Sequence, residues 1–598
     1  MKKFRYWLYP LLCACVTVLS LTGCAGSTGT EEAETVSENK AREETGVDIA
    51  EDDPFDDEFE DNRTIYEDPE KIETMYLTVS RGNAGENTDH TWEEINSYSD
   101  YDYQKMGVPR YQVEGLLQIG ESDGKTLDPD GLGFGRETPN CRVSIRGQTS
   151  TLVRYKNYKI RLDEDAGEWD GQSVINLNKH MMDGLRFRNK MMFDLQSQIP
   201  HMVSMKTTFV HLYVKDETSE NGDGQFHDYG LYTQVEQPNK KFLLRHGLDR
   251  FAHLYKENKI FEFGKNDAIR LVTDPDYDEE EFSYYLKTKG DQDHSKLLDL
   301  IDDVNDASVT PDDLLDTWLD RDNLAAWLAF NILTGNIDTQ SRNTLLYSSL
   351  NSHTWYLMDW DCDGGFLQEE KRVLGKESPD ADGWENGVSN YWGNHLFQKA
   401  LKSESFRKEL EEKVEELYEG ILSPENVQKM ADHYAEIVKP YLYEGHDVGN
   451  LPLTASEYQR VESAVGKEVE DNREKFYASL ERPQPFFIGN PSVEGNEIEF
   501  HWDASFDFQK DLITYSFELA DNLNFDHPLV KKDGLETPEY EYEGKLKPGE
   551  YFIRVTASDA DGNRTSSFDI CVDGSSIKHY GVLCFYVNED GSLHRKGE

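Results

Sequence analysis

The sequence predicts an α+β domain whose C-terminal part is helical, followed by a small all-β sandwich domain. Alternation of apolar and polar residues predicts strands in the first part, for example from Cys141 to Arg146 and from Lys156 to Leu162. Helical spacing of apolar residues dominates from Tyr391 to Leu480. From Phe486 onward, short alternating runs are separated by Gly, Pro and Asp turns, which is typical of a β-sandwich.

The length and the charge of the chain limit its organisation and its partners. The chain has 598 residues, of which 37% are hydrophobic, and this is enough for two or three domains. Its formal net charge of −54 at pH 7 argues against nucleic acid as a partner, because an acidic surface repels phosphate groups. Any phosphate-binding site must therefore be a local cluster of positive charge. We expect the protein to be a monomer.

Residues 1–24 are typical of a bacterial lipoprotein signal peptide. Three basic residues precede an apolar run from Trp7 to Leu21, and the segment ends in Leu21-Thr-Gly-Cys24. This pattern predicts cleavage and acylation at Cys24, which would anchor the protein in the membrane through a lipid at the extracytoplasmic face. A transmembrane anchor is the alternative, although the apolar run is short for a membrane span.

Residues 25–70 are predicted to form a disordered acidic linker. From Glu31 to Glu70 the chain has eighteen acidic and three basic residues and little apolar surface. Such a segment cannot offset the entropy cost of ordering by burying apolar groups, so we expect an extended tether. The boundaries predicted beyond it are 71–482 for the main domain, 486–575 for the sandwich and 576–598 for a C-terminal strand and tail.

The predicted sandwich has three notable features. It follows Pro483 and Pro485, which mark a linker, so we expect the two domains to fold separately. The run from Leu546 to Tyr551 resembles the tyrosine corner of fibronectin type III and immunoglobulin-like modules. Cys571 and Cys584 are candidates either for a disulfide or for buried free thiols, and the sequence leaves both open.

A polar stretch between residues 336 and 366 is the strongest candidate for a functional site. Within it, Leu345 to Tyr347 and Trp355 to Leu357 flank a Ser/Asn turn and predict a buried hairpin. A hairpin brings its two ends together in space. Four polar residues stand at these ends: Asp338, Asn343, Asp361 and Asp363. Their oxygen atoms would surround one point, as a hard cation and a triphosphate require.

A lysine lies on the apolar face of one of the predicted strands. Lys156 shares its side of the strand with Tyr158, Ile160 and Leu162. A buried lysine needs an anionic partner, because burying an unpaired charge is costly. Lys156 is therefore a candidate for binding an anion.

Four motifs, in this order, resemble the CotH (spore coat protein H) kinase family. They are Arg146-Gly-Gln-Thr-Ser150, Gly230-Leu-Tyr232 leading to Glu236, Asn336-Ile-Asp338 leading to Asn343, and Trp360-Asp-Cys-Asp363. The resemblance runs from about Asn140 to Leu422. It implies an atypical protein-kinase-like fold that uses ATP and a divalent metal, Mg²⁺ or Mn²⁺, to phosphorylate Ser or Thr of a protein substrate.

The resemblance also implies roles for individual residues. Asp338 matches the catalytic-loop aspartate, and Asn343 matches the metal-binding asparagine five positions later. Asp361 matches the metal-binding aspartate, and Asp363 is implied as a second metal ligand. The implied cofactor-binding residues are Arg146, Lys156 as the phosphate-pairing lysine, and Glu236 beside the adenine. A helix glutamate to pair with the lysine is not evident, because the helical stretch near 188–198 offers only Asp194.

Less specific interpretations of the same residues stay open. Asp338 and Asn343 could simply cap and turn the chain. The run from Asp359 to Glu370 matches the EF-hand calcium-loop pattern, although a strand rather than a helix is predicted before it. Glu236 and Arg146 could form a structural ion pair.

A second class of function also stays open. ATP is scarce outside a cell, so a surface-anchored kinase-like domain could act as an adhesion or ligand-binding lipoprotein without catalysis. The tether and the sandwich suit that role as well. The presence of all four polar residues at the hairpin ends favours chemistry, because a pure binding domain does not need them.

Overall fold

The computed structural model describes residues 59–66, 72–121, 126–219, 222–377, 384–443, 447–448, 450–495 and 497–596. The predicted signal peptide, Cys24 and all of the predicted linker except residues 59–66 lie outside these ranges. No helix within them is long and apolar enough to cross a membrane.

A closed barrel forms the first part of the main domain, with the strand order β1-β2-β3-β4-β5-β7-β6. Neighbouring strands are antiparallel, except that β1 and β6 are parallel. The strands are β1 (Ile72–Ser80), β2 (Val113–Gly120), β3 (Cys141–Arg146), β4 (Asn157–Leu162), β5 (Val174–Asn178), β6 (Thr207–Asp216) and β7 (His227–Val235). The alternation predicted for β3 and β4 is confirmed, because every second residue of each strand is buried in the barrel core.

A second sheet follows the barrel, in the order β11-β10-β8-β9. Its strands are β8 (His253–Glu257), β9 (Leu286–Thr288), β10 (Thr344–Ser348) and β11 (Tyr356–Asp359). The antiparallel pair of β10 and β11 is the predicted buried hairpin, with Tyr347 opposite Tyr356 at one end and Thr344 opposite Asp359 at the other. The hairpin prediction is therefore confirmed.

Helices pack around both sheets and form the C-terminal part of the main domain. The described helices are α1 (Trp92–Ser97), α2 (Asp100–Met106), α3 (Arg188–Gln196), α4 (Lys240–Arg245), α5 (Glu279–Tyr285), α6 (Ser295–Asn305), α7 (Pro311–Trp318), α8 (Arg321–Thr334), α9 (Gln368–Val373), α10 (His395–Leu401), α11 (Glu404–Glu419), α12 (Pro424–Tyr443), α13 (Ala455–Glu462) and α14 (Val465–Leu480). Almost all of α8 is buried, so this helix is the centre of the main core. It ends at Gly335, in a left-handed conformation that stops the helix directly before the polar stretch.

The C-terminal region is all β, as predicted. Its strands are β12 (Ser492–Glu494), β13 (Glu497–His501), β14 (Thr514–Ala520), β15 (Val530–Leu535), β16 (Glu539–Glu543), β17 (Gly549–Ser558), β18 (Arg564–Ser566), β19 (Ile570–Val572), β20 (Lys578–Tyr580), β21 (Val582–Val587) and β22 (Leu593–Arg595). The hydroxyl of Tyr551 donates to the Lys547 carbonyl at 3.0 Å, which is the hydrogen bond of a tyrosine corner. Cys571 and Cys584 are free thiols within one small apolar cluster.

The boundary predicted at residue 575 is wrong. Strand β21 pairs with β17 along its length, and β22 pairs with β21. Phe585 of β21 is fully buried in the sandwich core. Residues 576–596 are therefore part of the sandwich rather than a separate strand and tail.

The linker predicted at Pro483 and Pro485 is also wrong. Both prolines are buried, and Gln484 between them donates to the Ser479 carbonyl at 2.7 Å. Beyond this point, aromatic residues of the sandwich pack against the main domain: Phe568 on Trp384, with ring centroids 5.2 Å apart, and Phe506 on Trp392 at 5.3 Å. Through these contacts the sandwich packs directly on the main domain.

Residues 59–66 correct the prediction of a disordered linker. Phe59 is buried and stacks on Tyr356 of the hairpin, with ring centroids 4.2 Å apart. Residues 63–66 form a 3-10 turn on the surface of the main domain. The acidic composition dominated the prediction, whereas Phe59 packs on the hairpin and the Tyr66 hydroxyl accepts the Ser204 N–H.

Candidate functional site

The hairpin brings Asn343 and Asp361 to the same end of the sheet. The backbone N–H of Trp360 donates to the Asn343 carbonyl at 2.8 Å, directly beyond the last strand pair. Asn343 has φ 58° and Asp361 has φ 60°. Asn and Asp tolerate this left-handed conformation better than most residues, but it still stores strain, and strain of this kind clusters at functional sites.

Asp338 lies against the turn that follows the second strand. It belongs to the 3-10 turn Ile337–Gln340, directly after α8. Its Oδ2 atom is 3.8 Å from the place that a Cβ atom would take on Gly364, and Asn336 Oδ1 is only 2.7 Å from that place. A side chain at position 364 would therefore collide, and the close approach of the two turns requires glycine. The structure thus brings Asp338 to the same corner as the residues after β11.

Asp338 and Asp363 each have a charged or titratable neighbour. Arg342 Nη2 lies 2.9 Å from Asp338 Oδ1, and both side chains are about half exposed. His180 Nδ1 lies 3.6 Å from Asp363 Oδ2. Desolvation and the charge of Asp361 raise the pKa of Asp363 to about 6. The carboxylates of Asp361 and Asp363 therefore repel each other, and a positive charge between them would be favourable.

Two cationic side chains flank the ring of Trp360 beside these acids. Arg146, at the end of β3, has its guanidinium carbon 5.9 Å from the ring centre, and Lys256 in β8 has its amine nitrogen at 4.8 Å. Desolvation lowers the pKa of Arg146 to about 10 and that of Lys256 to about 7, while the charge of Asp361 opposes both shifts. The local cluster of positive charge that an acidic protein needs for phosphate is thus next to Asp361.

Lys256 was not among the predicted site residues. It reaches the site because β8 pairs with β10, so that Lys256 lies opposite Leu345 of the hairpin. The one feature of the sequence that could have pointed to it is a lysine within the short strand from His253 to Glu257, whose other residues are buried. The sequence did not show which strand would pair with the hairpin.

The structure does not bring Lys156 to this corner. The residue is buried, as its place on the apolar face of the strand predicts. However, its amine donates to the Thr151 carbonyl at 2.5 Å, and the acidic charge that acts on its pKa is that of Asp102. Its side chain therefore turns toward the 3-10 turn Thr149–Leu152 and α2 rather than toward Asp361.

Glu236 is held in a buried network rather than presented to a ligand. Its carboxylate forms an ion pair with Arg245, lies 3.0 Å from His246 Nε2 and accepts the Lys206 N–H at 3.2 Å. The alternative prediction of a structural ion pair between Glu236 and Arg146 is wrong, because Glu236 pairs with Arg245 and Arg146 lies beside Trp360. The Glu236 oxygens are therefore engaged, and the placement beside an adenine is not supported.

Helix α3 does not supply the missing partner for a lysine. Asp194 forms an ion pair with Lys190 of the same helix at 2.8 Å and accepts from the Tyr434 hydroxyl. Lys156 and Asp194 therefore do not form the lysine–carboxylate pair that protein kinases use.

The calcium-loop interpretation of Asp359 to Glu370 is contradicted. Asp359 is buried and accepts hydrogen bonds from Asn331 and Gln196, and burial raises its pKa to about 7. Glu370 pairs with Arg188 at 2.6 Å. Among the described residues, no three His, Cys, Asp or Glu side chains lie together as a metal-binding group.

Comparison with known proteins identifies the family. The sequence profile of the family described as CotH kinase protein matches residues 143–477, which is more than half of the 598 residues. The chain belongs to the CotH kinase protein family. This match extends beyond Leu422, where the sequence resemblance was expected to end, and takes in α12, α13 and most of α14. The family match therefore includes the hairpin and most of the helical C-terminal part of the main domain.

Individual similar proteins are distant. The inner spore coat protein H of Bacillus subtilis (strain 168) is 23% identical over 301 residues, which cover 50% of this chain and 77% of that protein. In solved structures, the toxin–antitoxin complex of HipA, HipB and operator DNA from Shewanella oneidensis MR-1 has a chain with 11% identity and a TM-score of 0.21, covering 51% of this chain and 58% of that one. The twitchin kinase region from C. elegans has 11% identity and a TM-score of 0.15, covering 68% of this chain and 70% of that one. At such TM-scores neither structure supports an argument.

Proposed function

We propose that this member of the CotH kinase protein family is a lipid-anchored, extracytoplasmic protein kinase, which transfers the γ-phosphoryl group of ATP to Ser or Thr of a protein substrate. The main support is the meeting of Asp338 and Asp361 at one corner, with Arg146 and Lys256 beside Asp361. Phosphoryl transfer requires mainly positioning and charge neutralisation from a protein, and this corner has groups for both.

A small divalent cation would bind the oxygen donors at this corner. In nucleotide sites, Mg²⁺ is usually held by one or two carboxylates together with phosphate oxygens and water. Asp361 and Asp363 would provide the carboxylates, and the Asn343 amide oxygen would be a third donor. A bound cation would offset the desolvation and the charge of Asp361, which together raise the pKa of Asp363. When bound, Mg²⁺ or Mn²⁺ would neutralise part of the phosphate charge.

Arg146 and Lys256 would bind the phosphate groups in place of the predicted Lys156. Both are partly desolvated, which strengthens their attraction to an anion. Both also lie within reach of the Asp361 charge, so that phosphates and a metal would share one small space. The guanidinium of Arg146 is further oriented by its hydrogen bond to the Asn178 side chain.

Asp338 would orient the substrate hydroxyl and accept its proton. Its side chain is 41% exposed, so a protein substrate can reach it. The contact with Arg342 must then give way to the hydroxyl. Breaking an exposed ion pair of this kind costs about 1 kcal/mol or less, so the pair is no barrier to this role.

Ligand binding without transfer, as in a surface adhesion lipoprotein, is the second candidate. One observation favours it: the predicted lysine and helix carboxylate are engaged elsewhere, so they do not form the pair that active protein kinases use. In this case the corner would hold a metal-bound nucleotide as a ligand or sensor. Arg146 and Lys256 would then contribute to nucleotide affinity and not to phosphoryl transfer.

A phosphotransfer assay separates the two candidates. Purified protein is incubated with Mg²⁺ and ATP that carries a radioactive γ-phosphate, with casein as an added protein substrate. The kinase proposal expects labelled protein, and an initial rate about 100-fold or more lower for Asp338→Asn, because a general base typically contributes that much. Asp526→Asn, an exposed carboxylate change in the sandwich, is the matched control and should retain the rate. Nucleotide binding with no labelling by the wild type would support the second candidate instead.

A further inference from the structure

Residues 59–66, here called the strap, hold the outer end of the hairpin. Phe59 is 6% exposed, and its ring lies 4.2 Å from that of Tyr356 and 5.7 Å from that of Tyr347. These two tyrosines face each other at the end of the hairpin opposite Asn343 and Asp361. The strap therefore contacts the element that forms the candidate site, but from its far end.

Polar contacts fix the rest of the strap to α3 and α4. The Arg63 guanidinium donates to the carbonyls of Ser197 and Ile199, the latter at 2.6 Å, just beyond the end of α3. The Asn62 amide donates to the Arg245 carbonyl at 2.9 Å at the end of α4. The Tyr66 hydroxyl accepts the Ser204 N–H at 3.1 Å. Each contact uses a side chain of the strap and backbone of the domain.

A buried histidine links the strap to the domain through two carboxylates. His246 Nδ1 lies 2.7 Å from Asp61 Oδ1 of the strap, and its Nε2 lies 3.0 Å from Glu236 Oε2. The three side chains are at most 2% exposed. With both carboxylates ionised, only the doubly protonated imidazolium can donate from both nitrogens at once, and this is the state that we assign to His246.

The charges around His246 balance only while it is protonated. From the strap, Asp61 and the Tyr66 hydroxyl face it, the latter 3.5 Å from Nδ1. From the domain, Glu236 faces it and is paired with Arg245. One step further out, Asp170 lies 3.5 Å from Arg245 and 2.8 Å from Lys206, so these groups largely compensate each other. Two buried carboxylates are thus matched by Arg245 and the imidazolium, and loss of the proton leaves one negative charge unmatched.

We propose that the strap is a pH-dependent clasp: it stays docked on the domain while His246 is doubly protonated and detaches as that proton is lost. Asp61 is the carboxylate that leaves His246, because Glu236 keeps its contacts with Arg245 and the Lys206 N–H. The clasp would couple the N-terminal segment to the hairpin that bears the candidate site. It does not depend on the proposed function, since it concerns docking alone.

The direction of the pKa shift of His246 supports release at rising pH. Burial alone would lower the pKa of His246, but the hydrogen bonds to Asp61 and Glu236 outweigh it and raise the pKa above its ordinary value. A group whose pKa is raised by docking contributes stability that is complete below the undocked pKa and is lost as pH rises through the docked pKa. The strap should therefore be held at acidic pH and released toward alkaline pH.

Hydrogen exchange of the full chain, followed by mass spectrometry between about pH 5 and pH 9, tests the clasp. After correction for the intrinsic pH dependence of exchange, the protection of residues 59–66 in wild type should fall with rising pH. The total fall should be about tenfold for each unit by which docking raises the His246 pKa. His246→Gln and Asp61→Asn should abolish this pH dependence. Phe59→Ala should lower protection at every pH and retain the dependence.

Two results would overturn the clasp. One is wild-type protection that does not change across this pH range. The other is an unchanged pH dependence in Asp61→Asn, a variant whose substitution lies in the strap and leaves the residues of the domain intact. If His246→Gln does not fold, Asp61→Asn alone decides the question.

Discussion

Lys256 is the residue whose replacement tests the phosphate site most specifically. Its amine lies beside Trp360 and within reach of the Asp361 charge. Lys256→Gln keeps much of the length of the side chain and removes its charge. A hydrogen bond to a charged group contributes about 1.5–3 kcal/mol. Because about 1.4 kcal/mol is a tenfold change in affinity, the Kd for ATP should rise about 10- to 150-fold in this variant.

The pH dependence of ATP binding gives a second, independent sign of the same lysine. Desolvation lowers the pKa of Lys256 to about 7, although Asp361 opposes the shift. Below about pH 7 the lysine already carries the proton that phosphate binding needs. Above it, each further pH unit should weaken ATP binding about tenfold until the pKa of the bound form is passed. Lys256→Gln should lack this component.

Calorimetric titration of ATP with Mg²⁺ at about pH 6 and pH 8.5 measures both effects. Lys265→Gln is the matched control, because this lysine is 66% exposed and forms an ion pair with Asp302 at the surface. Lys256 does not bind phosphate if Lys256→Gln binds ATP as tightly as the Lys265 variant at both pH values. The same conclusion follows if ATP binding by the two variants shows the same dependence on pH.

Two further predictions concern the packing that supports the site. Gly364→Ala should lower the free energy of unfolding by about 1–3 kcal/mol, since its Cβ atom would collide with Asn336. Gly549→Ala is the control: the atom nearest to its added Cβ would be 3.9 Å away, so the free energy of unfolding should change little. Phe568→Ala should lower the free energy of unfolding by about 3 kcal/mol, because this ring packs on Trp384 of the main domain. Denaturant titration measures both, and a separate early transition for the sandwich in wild type would contradict the single packed unit.

The sequence predicted those parts of the fold whose signal is local. The hairpin was predictable because two short apolar runs flank a polar turn, and the meeting of its ends follows from the geometry of any hairpin. Lys256 was not, because its role depends on the pairing of β8 with β10, which are almost ninety residues apart in the chain. Lys156 was buried as predicted, but burial alone does not tell which partner a side chain faces.

Composition was the weaker guide. Residues 59–66 lie within an acidic segment, and only the structure shows that Phe59 and Tyr66 find partners on the domain surface. The proline pair at 483–485 resembles a linker, yet its contacts with the main domain bury it. In both cases the deciding contacts come from residues far away in the chain.

The most direct test of the central claim is calorimetric titration of ATP into the wild-type protein and into Asp361→Ala, each with Mg²⁺ and with Ca²⁺. We expect wild type to bind ATP in the presence of Mg²⁺. Binding by Asp361→Ala should be lost, because the phosphate and carboxylate charges at the corner would no longer have a shared cation. Ca²⁺ should substitute poorly, because its longer and looser coordination fits the compact corner less well. Equal binding by wild type and Asp361→Ala, or no binding of ATP by either, would contradict the account.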